Sequence, residues 1–488
     1  MTRTPIFSAF QSLFSDPCRA LRAATAGSLH QFQALFGSWL PPGCLAQADE
    51  GPHSRERQWP LRLVFWTFCW QIAQAGASCR EAIRQAQALC LAHGQPVPPD
   101  EASPYCQARG ALPLERLEEI HRGVVGEAER ALGQGDLWQG RRVLVVDGTT
   151  VTAPDTRANQ KRFPQQSVQA PGCGFPILRI VALLSLATGM IVQWSVGPWR
   201  SSELGLLQHL WDAFKAGDVL LGDRLFCTWG LLAQCLHREV QAVFRVRGKV
   251  RGDFRRGQRL SKVERLVTWS KPKQRPRTIG PREWQSLPDQ LTLRLVRCVL
   301  EVPGFRTRRI ILATTLLDRD QFPPAALSRL YRRRWIMELT LRNLKITLQM
   351  DHLSGQNPEN LAREIRFHFL VHNLVRRLML EAARRHHVPL DRISFAGSLA
   401  VARRYGEALL QARSKKQRTQ LFEELLRVIA FDWVPDRPGR REPRAVKRRP
   451  KPYPRLMRHR HRFREISHQN RYYKNGRFGP PYRKASHA

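Results

Sequence analysis

The stretch RRVLVVDGTTVTAPDT, Arg141 to Thr156, decides how this chain is read. Val143 to Val146 form an uninterrupted apolar run that ends on Asp147, Gly148 and two threonines. A short valine-rich run of this kind predicts a buried strand, here with an acid at its tip. A second run of the same design, DVLLGDRLF from Asp218 to Phe226, ends on Asp223. Between the two lies ILRIVALLSLATGMIVQWSVGPW, Ile177 to Trp199, which is long enough to span a membrane. It carries Arg179 and breaks at Thr188-Gly189, so two strands joined by a tight hairpin explain it better. SSELGLLQHLWDAFKAG, Ser201 to Gly217, reads as one helix with Ser202 as N-cap and Gly217 as stop. After Asp223 come a helix, CTWGLLAQCLHREV, and a strand, QAVFRV. The order strand, strand, strand, helix, strand, helix, strand predicts an α/β mixed sheet in which the two acid-tipped strands lie side by side and parallel.

Outward from this centre the chain changes character. Residues 1–125 are helical in pattern and form a candidate DNA-binding domain, where Arg80, Arg84 and Arg109 either face DNA or are ordinary solvated side chains. Residues 126–390 hold the α/β region, interrupted at 247–322 by ERLVTWSKP, LTLRLVRCVLEV and TRRIILATTLL, a β-rich insertion. A long helix starts at Pro323-Pro324, where proline suits the first turn. Further helices follow, with a C-terminal helical region at 391–433. The tail, 434–488, is rich in Arg, Lys and Pro and too poor in apolar residues for a core, so it reads as an extended basic arm.

The 488 residues hold 80 Lys+Arg against 40 Asp+Glu, a formal net charge of +40. A field of that sign recruits polyanions, and nucleic acid is the first partner to consider. The hydrophobic content of 42% argues against a disordered or ribosomal-type basic protein and for an enzyme-sized fold. Ten scattered cysteines form no C-x-x-C pair, which favours reduced thiols in a cytosolic protein over zinc or disulfide chemistry. The N-terminus lacks the apolar core and cleavage site of a secretory signal, and no internal repeat is present.

The helix after Pro323-Pro324 contains YRRRWIMELTLRNLK, with Glu338 as the single acid among basic residues. At 100° per residue, Tyr331, Arg334, Glu338 and Lys345 fall on a stripe roughly 60° wide. On this helix alone, an Arg334–Glu338 ion pair at i, i+4 accounts for the pattern. Asp147 and Asp223, taken singly, are turn or cap residues. Together the three acids converge at one sheet edge, where carboxylates repel unless cations bind between them. Oxygen-only ligation suits magnesium or manganese, and two such ions can activate an attacking oxygen and stabilise the leaving oxygen of a phosphodiester.

These residues carry a resemblance. The pattern Y-x2-R-x3-E-x6-K at Tyr331, Arg334, Glu338 and Lys345 resembles the hallmark of DDE transposases of the insertion-sequence-four family. VDGTTVTAPDT, NQKRFPQQS, GFPILRIVALLSLATG, GDVLLGDRLF, SCREA and SPYCQAR match that family too. The resemblance implies a ribonuclease-H-like core with the β-rich insertion, flanked by N-terminal and C-terminal helical regions. It implies that Asp147, Asp223 and Glu338 are catalytic and bind two magnesium or manganese ions, and that Tyr331, Arg334 and Lys345 hold phosphates of the DNA. It further implies cut-and-paste transposition on double-stranded DNA, transposon ends and target alike, by a homodimer in a synaptic complex, in the cytoplasm at the nucleoid. Family members trap a flipped base with a tryptophan near the end of the insertion. Here Ile310 aligns there, with Trp269 and Trp284 as the nearest tryptophans, so that role stays unassigned. Two alternatives remain at this point: an inactive or domesticated DNA-binding relative, and a structure-specific nuclease with the same core.

Overall fold

The structure, a computed structural model, describes residues 35–45, 59–92, 95–247, 253–300, 308–411, 414–435, 457–459 and 462. The N-terminal stretch without a secretory-signal pattern, and nearly all of the basic tail, lie outside these residues. Four helices come first: α1 (Leu61–Ala73), α2 (Cys79–Ala92), α3 (Ala102–Ala111) and α4 (Leu114–Arg130). The sheet region follows with β1 (Val143–Thr152), α5 (Arg157–Arg162), β2 (Ile177–Ser185), β3 (Ile191–Pro198), α6 (Glu203–Leu207), β4 (Val219–Gly222), α7 (Trp229–His237) and β5 (Gln241–Arg245). The insertion supplies β6 (Gln258–Arg259), β7 (Glu264–Ser270), α8 (Pro281–Ser286), β8 (Gln290–Leu300) and β9 (Arg308–Thr314). Helices follow among the described residues: α9 (Pro324–Arg333), α10 (Trp335–Arg342), α11 (Pro358–Arg385), α12 (Phe395–Gln411) and α13 (Lys415–Phe431).

The sheet runs β3-β2-β1-β4-β5-β9-β8-β7-β6. Strands β1, β2 and β3 pair antiparallel, whereas β4 lies parallel to β1 and β5 parallel to β4. This is the ribonuclease-H-like topology, and the observed element order departs from the expected one by the short helix α5, which follows β1 and is capped by the Thr156 hydroxyl. The insertion does not stand apart. Its last strand, β9, pairs antiparallel with β5, so β9, β8, β7 and β6 continue the same sheet.

Alternation along β1 divides the interior into two layers. Val143 and Val145 face a core shared with α1, α4, α9, α10, α11 and α13, while Leu144 and Val146 face a second core built with α7 and β8. The axis of the first layer is α11, which starts at the N-cap Asn357 with Pro358 at its first turn and is buried along most of its 28 residues. Among the described residues, no helix is long and apolar enough to cross a membrane. The run suspected of spanning one is the β2–β3 hairpin, turned at Thr188-Gly189 with Gly189 at φ 68°.

Two helical expectations need correction. Ser202 does cap its helix, accepting from the Gly205 N–H, but α6 stops at Leu207 and a 3-10 turn covers Gln208–Ala213 instead of a helix to Gly217. Side chains three apart align in such a turn, which brings Leu207 and Leu210 together into the core. The long helix after Pro323 is also not regular. It divides at Arg334 into α9 and α10 and ends in a π turn, Asn343–Thr347, closed by Leu348 N–H donating to the Asn343 carbonyl at 2.9 Å.

One buried cation ties the insertion to that helix. Arg294 on β8 is 0% exposed, and its guanidinium donates to Glu264 of β7 at 2.7 Å and to the carbonyls of Leu316 (3.3 Å), Asp318 (3.0 Å) and Phe322 (2.7 Å). Those three carbonyls belong to the segment leading from β9 into α9.

Candidate active site

The parallel register of β1 and β4 pairs Val143 with Val219, Leu144 with Leu220 and Val145 with Leu221. Carried two residues further, it sets Asp147 beside Asp223, the first residue past β4. Adjacent strands lie about 4.8 Å apart, so the two acids come together because of backbone geometry alone. Asp147 takes the Gly148 N–H on Oδ1 at 2.8 Å, and Asp223 takes the Leu225 N–H on Oδ1 at 2.7 Å. Each carboxylate is thus oriented by a nearby backbone N–H, but β1 runs on to Thr152, so Asp147 lies inside its strand and not at the tip expected from the sequence, whereas Asp223 lies just past β4.

Glu338 arrives on α10, opposite the sheet edge, and Arg334 stands between it and β1. Its guanidinium donates to Glu338 Oε1 and lies 3.7 Å from Asp147 Oδ2. The i, i+4 ion pair expected from the helix is therefore present, and the same guanidinium also reaches the first strand. Burial pushes the Asp147 carboxyl up to about 6; its own Gly148 N–H and Arg334 hold it down, and Asp223 and Glu203 push it further up. Burial is thus the main cause of the rise, and the attraction of Arg334 is larger than the repulsion from Asp223 or from Glu203. Among the described residues, no three acids, histidines or cysteines yet stand close enough to share an ion.

Tyr331 is buried on α9 with its ring 5.8 Å from the Arg334 guanidinium carbon. Burial raises its hydroxyl pKa, Arg334 and Arg245 oppose that, and Asp223 adds to it, so the phenol lies within the same electrostatic neighbourhood. Lys345 is placed differently from the helical projection. The π turn swings it toward β1, where Nζ donates to the Thr150 carbonyl at 3.0 Å and pairs with Asp351 at 2.8 Å.

A fourth carboxylate was not foreseen. Glu203, in the first turn of α6, folds over Gly148: a Cβ there would lie 2.5 Å from its carboxyl carbon. Arg179 on β2 lies 3.8 Å from it, and burial raises its pKa, opposed by Arg179 and reinforced by Asp223. The only trace in the sequence is a glycine directly after Asp147, where every neighbouring strand position carries a side chain. Other expectations fare differently. Arg109 points inward, with its guanidinium carbon 3.9 Å from the Phe68 ring centre, and Arg84 pairs with Asp100 at the surface. Trp269 and Trp284 pack with α7 against the second core, across the sheet from Asp147, and Ile310 is buried in β9.

The family model described as Transposase DDE domain matches residues 138–374, which contain all six of the sequence-selected site residues. Transposase InsG for insertion sequence element IS4 of Escherichia coli (strain K12) is 24% identical over 435 residues, covering 88% of this chain and 95% of its own. The chain carries a DDE transposase domain and is similar over most of its length to the transposase of an insertion-sequence-four element. A putative transposase of the same organism, InsZ, is 28% identical over 137 residues, 27% of the transposase described here and 44% of its own length. Among solved structures, that of the piggyBac transposase synaptic complex with hairpin DNA is similar to the transposase at 10% identity and a TM-score of 0.39, over 83% of this chain and 86% of that one. Membership of the DDE family implies the use of divalent metal.

Proposed function

We propose that the transposase binds the terminal inverted repeats of its own element, cuts there, and joins the freed 3' ends to target DNA, with Asp147, Asp223 and Glu338 as the catalytic carboxylates. The observation that supports this most is the register that aligns Asp147 with Asp223, with Glu338 facing them across Arg334. Three carboxylates offering oxygen-only donors fit magnesium or manganese, and a bound cation would offset the burial that disfavours the charged form of Asp147. Two such ions, held by Asp147, Asp223 and Glu338, would activate the attacking oxygen and stabilise the leaving one.

The chain's own residues do the rest. Arg334 neutralises Asp147 and Glu338 in the free protein, which keeps acids at this edge from repelling the sheet apart. With a DNA phosphate at hand, the same planar donor serves as a charge-assisted clamp, and Lys345 and the Tyr331 hydroxyl flank it. Lys345 is held at β1 by Thr150 and Asp351, so its ammonium is positioned before DNA arrives. In this reading residues 1–125 bind DNA, the C-terminal basic arm adds phosphate contacts, and two protomers pair two ends in the cytoplasm, at the nucleoid.

Purified transposase with magnesium and end-containing DNA should yield nicked or excised product. Glu338→Gln should abolish cutting and leave end binding within a few-fold. Cutting retained in Glu338→Gln would overturn the assignment of the carboxylates.

A further inference from the structure

The motifs SCREA and SPYCQAR take no part in the site described above, yet the fold brings their cysteines together. Cys79 opens α2 and Cys106 lies on α3, and the Cys106 thiol donates to the Cys79 sulfur at 3.8 Å. Around Cys79 the side chains are arranged for a thiolate. Arg109 Nη1 lies 3.5 Å and Gln71 Nε2 3.7 Å from its sulfur, both as donors. Arg109 is itself fixed by the Phe68 ring and by Gln71 Oε1 at 3.2 Å, and the Tyr105 hydroxyl donates to the same Gln71 oxygen at 2.9 Å. The donation from Cys106 chiefly, then Arg109 and Gln71 against the cost of burial, lowers the Cys79 pKa to about 5. Position at a helix N-terminus acts in the same direction. Cys106 is exposed, whereas Cys69 and Cys235 are fully buried.

We infer that Cys79 and Cys106 are a modification site, a dithiol that hydrogen peroxide converts to a reversible disulfide between α2 and α3. The Cys79 thiolate attacks one peroxide oxygen: an S–O bond forms, the O–O bond breaks, and the departing hydroxide takes a proton to become water. The Cys106 sulfur then attacks the Cys79 sulfur as its proton leaves, the S–S bond forms, the S–O bond breaks, and a second water departs. The sulfurs together lose two electrons and the peroxide gains them. Cys79 and Arg109 line a cleft of about 250 Å³ whose far wall, Leu348, Gln349, His352 and Ser354, follows shortly after Lys345. His352 Nδ1 lies 2.7 Å from Thr152 Oγ1 at the end of β1, so this covalent change occurs on a wall shared with the catalytic strand.

The test uses the full-length protein, reduced, desalted and exposed to near-stoichiometric hydrogen peroxide. Unreduced peptide mapping, with fragmentation that separates Cys79 from Cys69, should show Cys79 linked to Cys106 with loss of two hydrogens, reversed by dithiothreitol. Cys79 should oxidise at least tenfold faster than Cys69 or Cys235, on the order expected for thiolate against buried thiol. In Cys106→Ser, which changes an exposed side chain by one atom, the linkage should vanish and Cys79 should be trapped as a sulfenic acid by dimedone. Free Cys79 and Cys106 after oxidant is consumed, linkage to other cysteines instead, or no dimedone adduct in Cys106→Ser with an unchanged melting temperature would each overturn the inference.

Discussion

Replacing Arg294 by methionine removes the cation that holds the insertion to the catalytic helix. Glu264, 2% exposed, would then remain in the interior with the Ser261 hydroxyl at 3.0 Å and, as its remaining cation among the described residues, Arg319 at 3.1 Å, itself 45% exposed and therefore a screened partner. The carbonyls of Leu316, Asp318 and Phe322 would lose their donor at the same time. Removing one member of a buried pair costs about 3–5 kcal/mol, and the residual Arg319 contact argues for the lower end. At ~3 kcal/mol the local opening equilibrium shifts roughly a hundredfold. Hydrogen–deuterium exchange should therefore accelerate by about that factor in peptides covering β8 and the start of α9. Because α9 leads into Arg334 and Glu338, cutting should fall more than end binding does. Adding Glu264→Leu to the Arg294→Met protein should recover much of the protection, since no unpaired charge then remains buried. Exchange that rises less than threefold in the single variant, or a double variant worse than the single, would refute this reasoning.

Other outcomes follow from separate parts of the structure. Gly148→Ala sets a methyl group against the Glu203 carboxylate and should destabilise by about 1–3 kcal/mol, with slower cutting; a lower melting temperature that Glu203→Ala partly restores is the check. His121, buried with Nε2 2.9 Å from the Ile191 carbonyl, is held down to about 4 chiefly by burial, and His368 and His372 to about 3 for the same reason. The unfolded chain takes up these protons below about pH 6.5 while the folded chain does not, so stability is complete above that pH and falls as pH drops toward 4. From His121 alone the loss is about 3 kcal/mol, and urea midpoints measured between pH 7 and 4.5 should fall accordingly. Lys345→Met should weaken end binding uniformly across sequences and lower the salt slope of the affinity by about 1, as expected for one lost phosphate contact.

What the sequence made legible was local. Valine-rich runs ending in Asp147 and Asp223 needed only the identity of neighbouring residues, and their parallel pairing followed from the order of elements. The insertion looked like an interruption because β5 and β9 pair across 62 residues of intervening chain, counted from Arg245 to Arg308, and no periodicity reports so distant a bond. The Arg334–Glu338 pair was visible as an i, i+4 spacing, but the reach of Arg334 to Asp147 crosses from helix to sheet and leaves no local mark. Glu203 was missed for the same reason: an acid in the first turn of a helix is the commonest place for one, and only the fold brings it over Gly148. Arg109, taken for a surface cation, proved to be held by Phe68, Gln71 and Cys79, three residues that only tertiary packing assembles.

The π turn at Asn343–Thr347 gives the spacing between Glu338 and Lys345 a different meaning from the one a helical wheel suggests. Seven residues in a regular helix would return the lysine to within roughly 20° of the acid, so both would compete for one face. The wider i→i+5 closure delays the lysine's return by a fraction of a turn, and it lands on the backbone of the strand that carries Asp147. The motif is therefore a ruler rather than a stripe: its length is set by the distance from helix to strand. A chain in which Asn343 or Leu344 is deleted would keep every letter of the motif's chemistry except its measure, and would leave Lys345 pointing past Thr150.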